Sequence, residues 1–148
     1  YEVMLVLRRA TTNDLSLLAQ MNKRLIEDEG STNPMSMSQL ESRLRLWLNA
    51  EWRGELFLHD NTVVGYTIYR LQRNDFDNRE TVYIRHYFIE RDYRRSGYGR
   101  EALAKLREER FPKNVTVYLE VLTHNSRGKE FWKSMGFEEY SVTMRLEG

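Results

Sequence analysis

Four arginines and two glycines fall between positions 91 and 100: Arg91, Arg94, Arg95 and Arg100 around Gly97 and Gly99. Guanidinium groups are fork-shaped donors that match phosphate oxygens, and glycine lets an anion come close to the backbone. The flanking residues say what backbone carries them. Val82, Ile84 and Phe88 recur at the period of a strand. Arg100-Glu101-Ala102-Leu103-Ala104-Lys105-Leu106 favours helix, with Glu101–Lys105 and Lys105–Glu109 as opposite charges one turn apart. A helix start leaves its first amides unpaired at the positive end of the helix dipole. Strand, glycine turn and helix could therefore cradle a phosphate. The pattern is not the full dinucleotide fingerprint, because Ala102 holds the third glycine position. Nor is it a P-loop, because no Gly-Lys-Ser/Thr follows. An ordinary turn with a solvated arginine cluster fits the same residues.

A second group of chemically capable residues lies downstream. Glu120 follows an alternating strand pattern, and a carboxylate facing a cleft can hold an alkylammonium and accept its proton. On a strand's polar face it is otherwise simply solvated. Asn125 or Ser126 can cap a helix that runs to Met135. Upstream, Glu27-Asp28-Glu29 end a helix, where acids sit against the dipole and could instead attract a cationic amine. A solvated acidic helix end accounts for them equally well. His59, His86 and His124 lack metal-ligand spacing, and there is no cysteine, so no metal site is expected.

These residues must be positioned by elements that the hydrophobic pattern outlines. Residues 2–9 alternate Val3, Leu5 and Leu7 with Met4 and Val6 also apolar, which predicts a strand buried on both faces. Thr12 or Asn13 caps a helix with the stripe Leu15, Leu18, Met21, Asn22 and Leu25. After the loop Gly30–Pro34, Ser38-Gln39-Leu40-Glu41 matches a capping box, and Leu40, Leu44, Trp47 and Leu48 predict a second helix over 38–51. Residues 55–59 and 62–71 flank a hairpin turn at Asp60-Asn61, and Gly65 hints at a bulge or close packing. Val115, Val117, Leu119 and Val121 alternate as a strand. Gly136 suits a helix stop, and Phe137–Leu146 is expected to complete the sheet. The order β-α-α-β-β-β-α-β-α-β is an α/β or α+β layered fold with a mixed sheet.

Residues 1–148 are expected to form a single domain, long enough for a substantial core. The net charge of +1 gives no general case for nucleic acid or a membrane surface. No apolar run approaches the ~18 residues of a membrane span, and no signal peptide is visible, so cytoplasm is the default expectation. Tyr1-Glu2-Val3 stand ahead of the first methionine, as residues foreign to the native chain would.

Arg94-x-x-Gly97-x-Gly99 after an aromatic strand resembles the acyl-coenzyme-A signature of the GNAT superfamily of N-acetyltransferases. Leu119-Glu120-Val121, Asn125 and Phe131-Trp132-Lys133-Ser134-Met135-Gly136-Phe137 resemble its second block, in the family's order and near its spacing. The resemblance implies a mostly antiparallel mixed sheet with splayed central strands, helices on both faces, and acetyl transfer from acetyl-coenzyme A, without metal, to the amine of a small molecule or peptide. It implies direct attack in a ternary complex. The pyrophosphate falls to the amides of Arg95, Ser96, Gly97, Tyr98 and Gly99, with Arg94 and Arg100 helping. Phe88 and Ile89 would lend backbone groups to the pantetheine, and a bulge near Phe88 would free an N–H for the thioester carbonyl. Glu120 resembles the family's base and Asn125 its pantetheine-binding asparagine. The family usually has tyrosine where this chain has Trp132, and indole cannot act as a physiological acid. The acceptor would meet the loop that carries Glu27, Asp28, Glu29 and Asn33. A monomer or homodimer is expected, as is either turnover or, given Trp132, a non-catalytic acyl-coenzyme-A-binding or sensor module.

Overall fold

A computed structural model describes residues 4–148. The chain forms β1 (Val6–Arg9), a 3-10 turn (Thr12–Asp14), α1 (Leu15–Glu29), α2 (Met37–Leu48), β2 (Arg53–His59), β3 (Thr62–Arg73), β4 (Glu80–Ile89), a 3-10 turn (Arg91–Tyr93), α3 (Tyr98–Glu109), β5 (Thr116–Leu119) and α4 (Ser126–Ser134). The strands form one sheet in sequence order. β1 to β4 are antiparallel neighbours, and β5 joins β4 in parallel after the α3 crossover.

Helices cover both faces. Leu18, Met21, Leu25, Leu40 and Leu44 of α1 and α2 pack on Leu56, Tyr66, Ile68 and Phe88. On the other face Leu103 and Leu106 of α3 meet Leu5, Leu7, Phe57, Val64, Tyr69, Val82 and Ile84. A strand covered on both faces buries every side chain, and β3 accordingly buries Val64 through Tyr69 without a break. Its hairpin with β2 turns at Asp60 and Asn61, with φ of 49° and 65°, the left-handed pair a type I′ turn requires. Gly65 permits close approach: a Cβ there would lie 2.1 Å from the Phe88 carbonyl oxygen. The pairing shifts register beside it, between Phe57 and Leu58. Buried Glu55 ties strands to helix, accepting from Arg9 at 2.8 Å and lying 3.1 Å from Arg110 at the end of α3.

Four expectations need correction. β1 is buried on one face only: Leu5 and Leu7 are buried, whereas Met4 and Val6 are exposed, because α1 and α2 lie over the more central strands. Its first expected residues, 2 and 3, lie outside the described residues, as does the whole of 1–3. The first cap is Thr11, whose hydroxyl accepts from Asn13 N while Asp14 accepts from Thr11 N. The second capping box is Ser36–Gln39, two residues before the expected one, and it sets α2 to Met37–Leu48 with Leu40 and Leu44 wholly buried. Lastly, Phe137–Leu146 forms no strand. Its alternating Tyr140, Val142, Met144 and Leu146 are 75–95% exposed. Alternation specifies a strand only where another edge offers backbone partners, and this segment pairs with none among the described residues.

Candidate active site

β4 and β5 separate at the middle of the molecule. They pair from Thr81–Thr116 to Ile84–Leu119, and beyond that point residues 85–89 of β4 have no β5 partner. On its other side β4 stays bound to β3, up to Glu90 N donating to Val64 O at 2.8 Å. β4 does bulge, but not at Phe88, which pairs in register with Tyr66. Ile68 pairs with His86 and Tyr69 with Ile84, so Arg85 is the extra residue. It is drawn outward over Trp47, with its guanidinium carbon 4.5 Å from the ring centroid, and over Trp52 at 5.5 Å.

The glycine turn follows the free end of β4. Arg95 and Gly97 adopt left-handed φ of 64° and 85°. Gly97 opens α3 with no side-chain cap, and the first helical bond runs from Glu101 N to Gly97 O. The amides of Gly99 and Arg100 thus lie in the first turn, where a helix leaves its donors without intrahelical partners. From beneath, the Tyr87 hydroxyl donates to Gly99 O, and the Phe131 ring lies 3.0 Å from where a Cβ of Gly99 would stand. Arg95, Ser96, Gly97 and Arg100 are exposed. Arg94 turns away from this group. Its Nε donates to Ile89 O at 2.7 Å, and its outer nitrogen pairs with Asp28.

Glu120 lies just past the last β4–β5 pair. Tyr83 on β4 donates to its Oε1 at 2.6 Å, and burial, then the Glu120 contact, push the Tyr83 phenol up to about 12. Asn125 caps α4, its Oδ1 accepting from Gly128 N at 3.1 Å. Trp132 is a packing residue, in ring contact with Tyr87, Phe131 and Phe137 at 4.9, 4.8 and 5.0 Å between centroids.

The acidic helix end divides three ways. Glu27 is exposed. Asp28 is engaged by Arg91 at 2.9 Å and by Arg94, so it is not a free acceptor for an amine. Glu29 is half-buried, and burial, then Asp28, raise its carboxyl above the ordinary range. Asn33 shapes the loop by accepting from Met35 N at 3.0 Å. That loop touches the segment after β5, where His124 Nε2 bonds Gly30 O at 3.1 Å.

A buried polar pair, whose contact the sequence did not reveal, completes this side of the sheet. Tyr66 and His86 form a buried pair at 3.0 Å. Burial, then Arg43 and Arg85, lower the imidazole to about 3, so it is neutral at physiological pH. Tyr66 is held far above the usual phenol range by burial and then by Glu29. The sequence signal was only an aromatic strand, Tyr83 to Phe88; the pairing of its side chains depends on a register no local pattern reveals. No group of side chains suited to a metal ion occurs among the described residues.

Known proteins agree with this architecture. A structure described as a possible acetyltransferase from Clostridium difficile 630 superposes with a TM-score of 0.77 at 20% identity, covering 98% of this chain and 97% of that one. A predicted acetyltransferase with acetyl-coenzyme A, from Clostridium acetobutylicum, gives 0.76 at 21%, covering 97% and 96%. An aminoglycoside acetyltransferase from an uncultured soil metagenomic sample, in complex with sisomicin, gives 0.71 at 20%, covering 97% and 95%. No curated protein matches by sequence. The family model described as Acetyltransferase (GNAT) family matches residues 20–137, and with strands that part beside a glycine-opened helix, the chain belongs to that family.

Proposed function

We propose that this chain is an acetyl-coenzyme-A-dependent N-acetyltransferase that acts on an amine by direct attack in a ternary complex. One observation carries the reading: the strands part next to an uncapped helix start, and a carboxylate held by Tyr83 stands at the fork. The turn fits an anionic group. The left-handed backbone of Arg95 and Gly97 leads into a helix start with no side-chain cap, and exposed Arg95 and Arg100 supply charge. Residues 85–89 have no β5 partner, and apart from Ile89 O, which Arg94 holds, their open edge suits an extended, amide-bearing arm, and the Asn125 amide nitrogen remains available while its oxygen caps α4. Acetyl-coenzyme A supplies the acyl thioester.

Glu120 holds the acceptor ammonium and takes its proton. The freed nitrogen forms the C–N bond as the C–S bond breaks. Sulfur leaves as thiolate, which a thiol pKa of about 8.5 makes tolerable. Trp132, half-buried against three rings, provides no acid, because indole is a donor only. This packing also favours a second reading, a non-catalytic acyl-coenzyme-A-binding module. Calorimetric titration with acetyl-coenzyme A, coenzyme A and ATP tests the cradle. Saturable binding of the first two but not ATP is expected, and absence of binding overturns both readings. Coenzyme A release across an amine panel then separates enzyme from binding module.

A further inference from the structure

Arg43, Trp47, Arg85, Trp52 and Arg70 make a continuous run of guanidiniums and indoles across α2, β3 and β4. Arg43 and Arg85 each lie 4.5 Å from the Trp47 centroid, Arg85 also reaches Trp52, and Arg70 lies 4.6 Å from Trp52. The three cations differ in one respect. Arg70 has a carboxylate, Glu51, at 2.6 Å. Arg43 and Arg85 have none among the described residues. Arg43 donates once, to Asn22 Oδ1 at 3.2 Å, and its Nε is buried without a partner. A buried guanidinium nitrogen left unpaired is a donor waiting for an acceptor.

This unmatched pair lies on the proposed acceptor side. Arg85 is the bulge residue of β4, two positions from Tyr83, which holds Glu120. Arg43 and Arg85 both act electrostatically on buried His86, and Arg43 and Glu29 both act on Tyr66. A carboxylate that can hold an ammonium and two guanidiniums that lack an anion therefore share one face of the sheet. Resting on the acetyltransferase reading, we infer that the acceptor is an amine that also carries an anionic group, such as an amino acid or short peptide with a free carboxylate. Glu120 takes the ammonium end, and Arg85 and Arg43 take the anion against the Trp47 ring. The same arginines disfavour a polycation, in contrast to the aminoglycoside bound by one structural relative.

Matched ligands test this on the full chain saturated with acetyl-coenzyme A. Calorimetry and steady-state coenzyme A release compare L-leucine with L-leucinamide, and O-phosphoethanolamine with ethanolamine, with spermidine as polycation. The anion-bearing member of a pair should bind about tenfold or more tightly than its neutral partner. The leucine pair reports a carboxylate and the phosphoethanolamine pair a phosphate. In Arg85→Gln that ratio should collapse toward one. Arg85 is exposed and its side chain makes no hydrogen bond among the described residues, so this variant keeps the fold intact, and Arg43→Lys provides a second reading at the buried position. Equal binding within both pairs, tighter spermidine, or an unchanged ratio in Arg85→Gln overturns the inference. If acetyl-coenzyme A binds but no amine is acetylated, the enzyme reading fails, while the binding ratios still decide this one.

Discussion

A glutamate on an exposed turn samples many rotamers, and Glu120 is held to one by the Tyr83 phenol at 2.6 Å. That hydrogen bond turns a solvated acid into a positioned one. Glu120→Gln should lower turnover by about 10²-fold and alter the acidic limb of the pH–rate profile, with stability changed by no more than about 0.5 kcal/mol. An unaltered rate and profile would remove Glu120 as the base. Glu120 was legible as a candidate because its block resembles the one that carries the family's base, although its place on a strand's polar face fits a solvated acid equally well. Its partner was not, since which phenol meets it depends on the parallel β4–β5 register between residues far apart in sequence. His86 was likewise illegible: the sequence shows a histidine, and only burial beside two arginines makes it a neutral member of the site.

At the scale of elements, local chemistry was a good guide where one strand or helix settles its own geometry. Asp60-Asn61 and the glycine turn are such cases, because left-handed backbone confines the choice of residue. Gly97→Glu should weaken acetyl-coenzyme A binding by about 10²-fold or more, placing a like charge and bulk at the helix start. Calorimetry measures it, a thermal melt confirms folding, and undiminished affinity would refute the site. Local chemistry misled where the answer lay in a neighbour. Two serines, Ser36 and Ser38, each precede a suitable third residue, and burial of Leu40 and Leu44 fixed which one caps α2. The Arg85 bulge has no signature in β4 itself, since it shows only in the register with β3, and its guanidinium rests on two indoles from elsewhere in the chain. The alternation of Phe137–Leu146 looked like a strand, but no pairing edge meets it among the described residues.

Over the whole molecule, the layered α/β architecture followed from element order, while the exposed face of β1 depended on where the helices settled. The stability of the assembled fold carries a mark of the buried imidazole. His86 titrates at about 3 in the fold and near 6.5 when unfolded. The unfolded chain binds more protons between these values, so the contribution is complete above about pH 6.5 and is lost as pH falls toward 3. At pH 5 the loss is about 2 kcal/mol. Urea unfolding at pH 7 and pH 5 should show that difference in the parent and less of it in His86→Gln; identical losses would contradict the burial argument. One further feature spans the molecule. Asp28 at the end of α1 grips Arg91 and Arg94 beside the glycine turn. Those two guanidiniums are thereby spent on the protein itself, which leaves Arg95 and Arg100 as the charges open to a phosphate. The carboxylate ties the end of the first helix to the start of the turn, so the turn's position is anchored by a distant part of the chain. Asp28→Asn should therefore weaken acetyl-coenzyme A binding in calorimetry while a thermal melt shows the chain still folded, and unchanged affinity would contradict that anchoring.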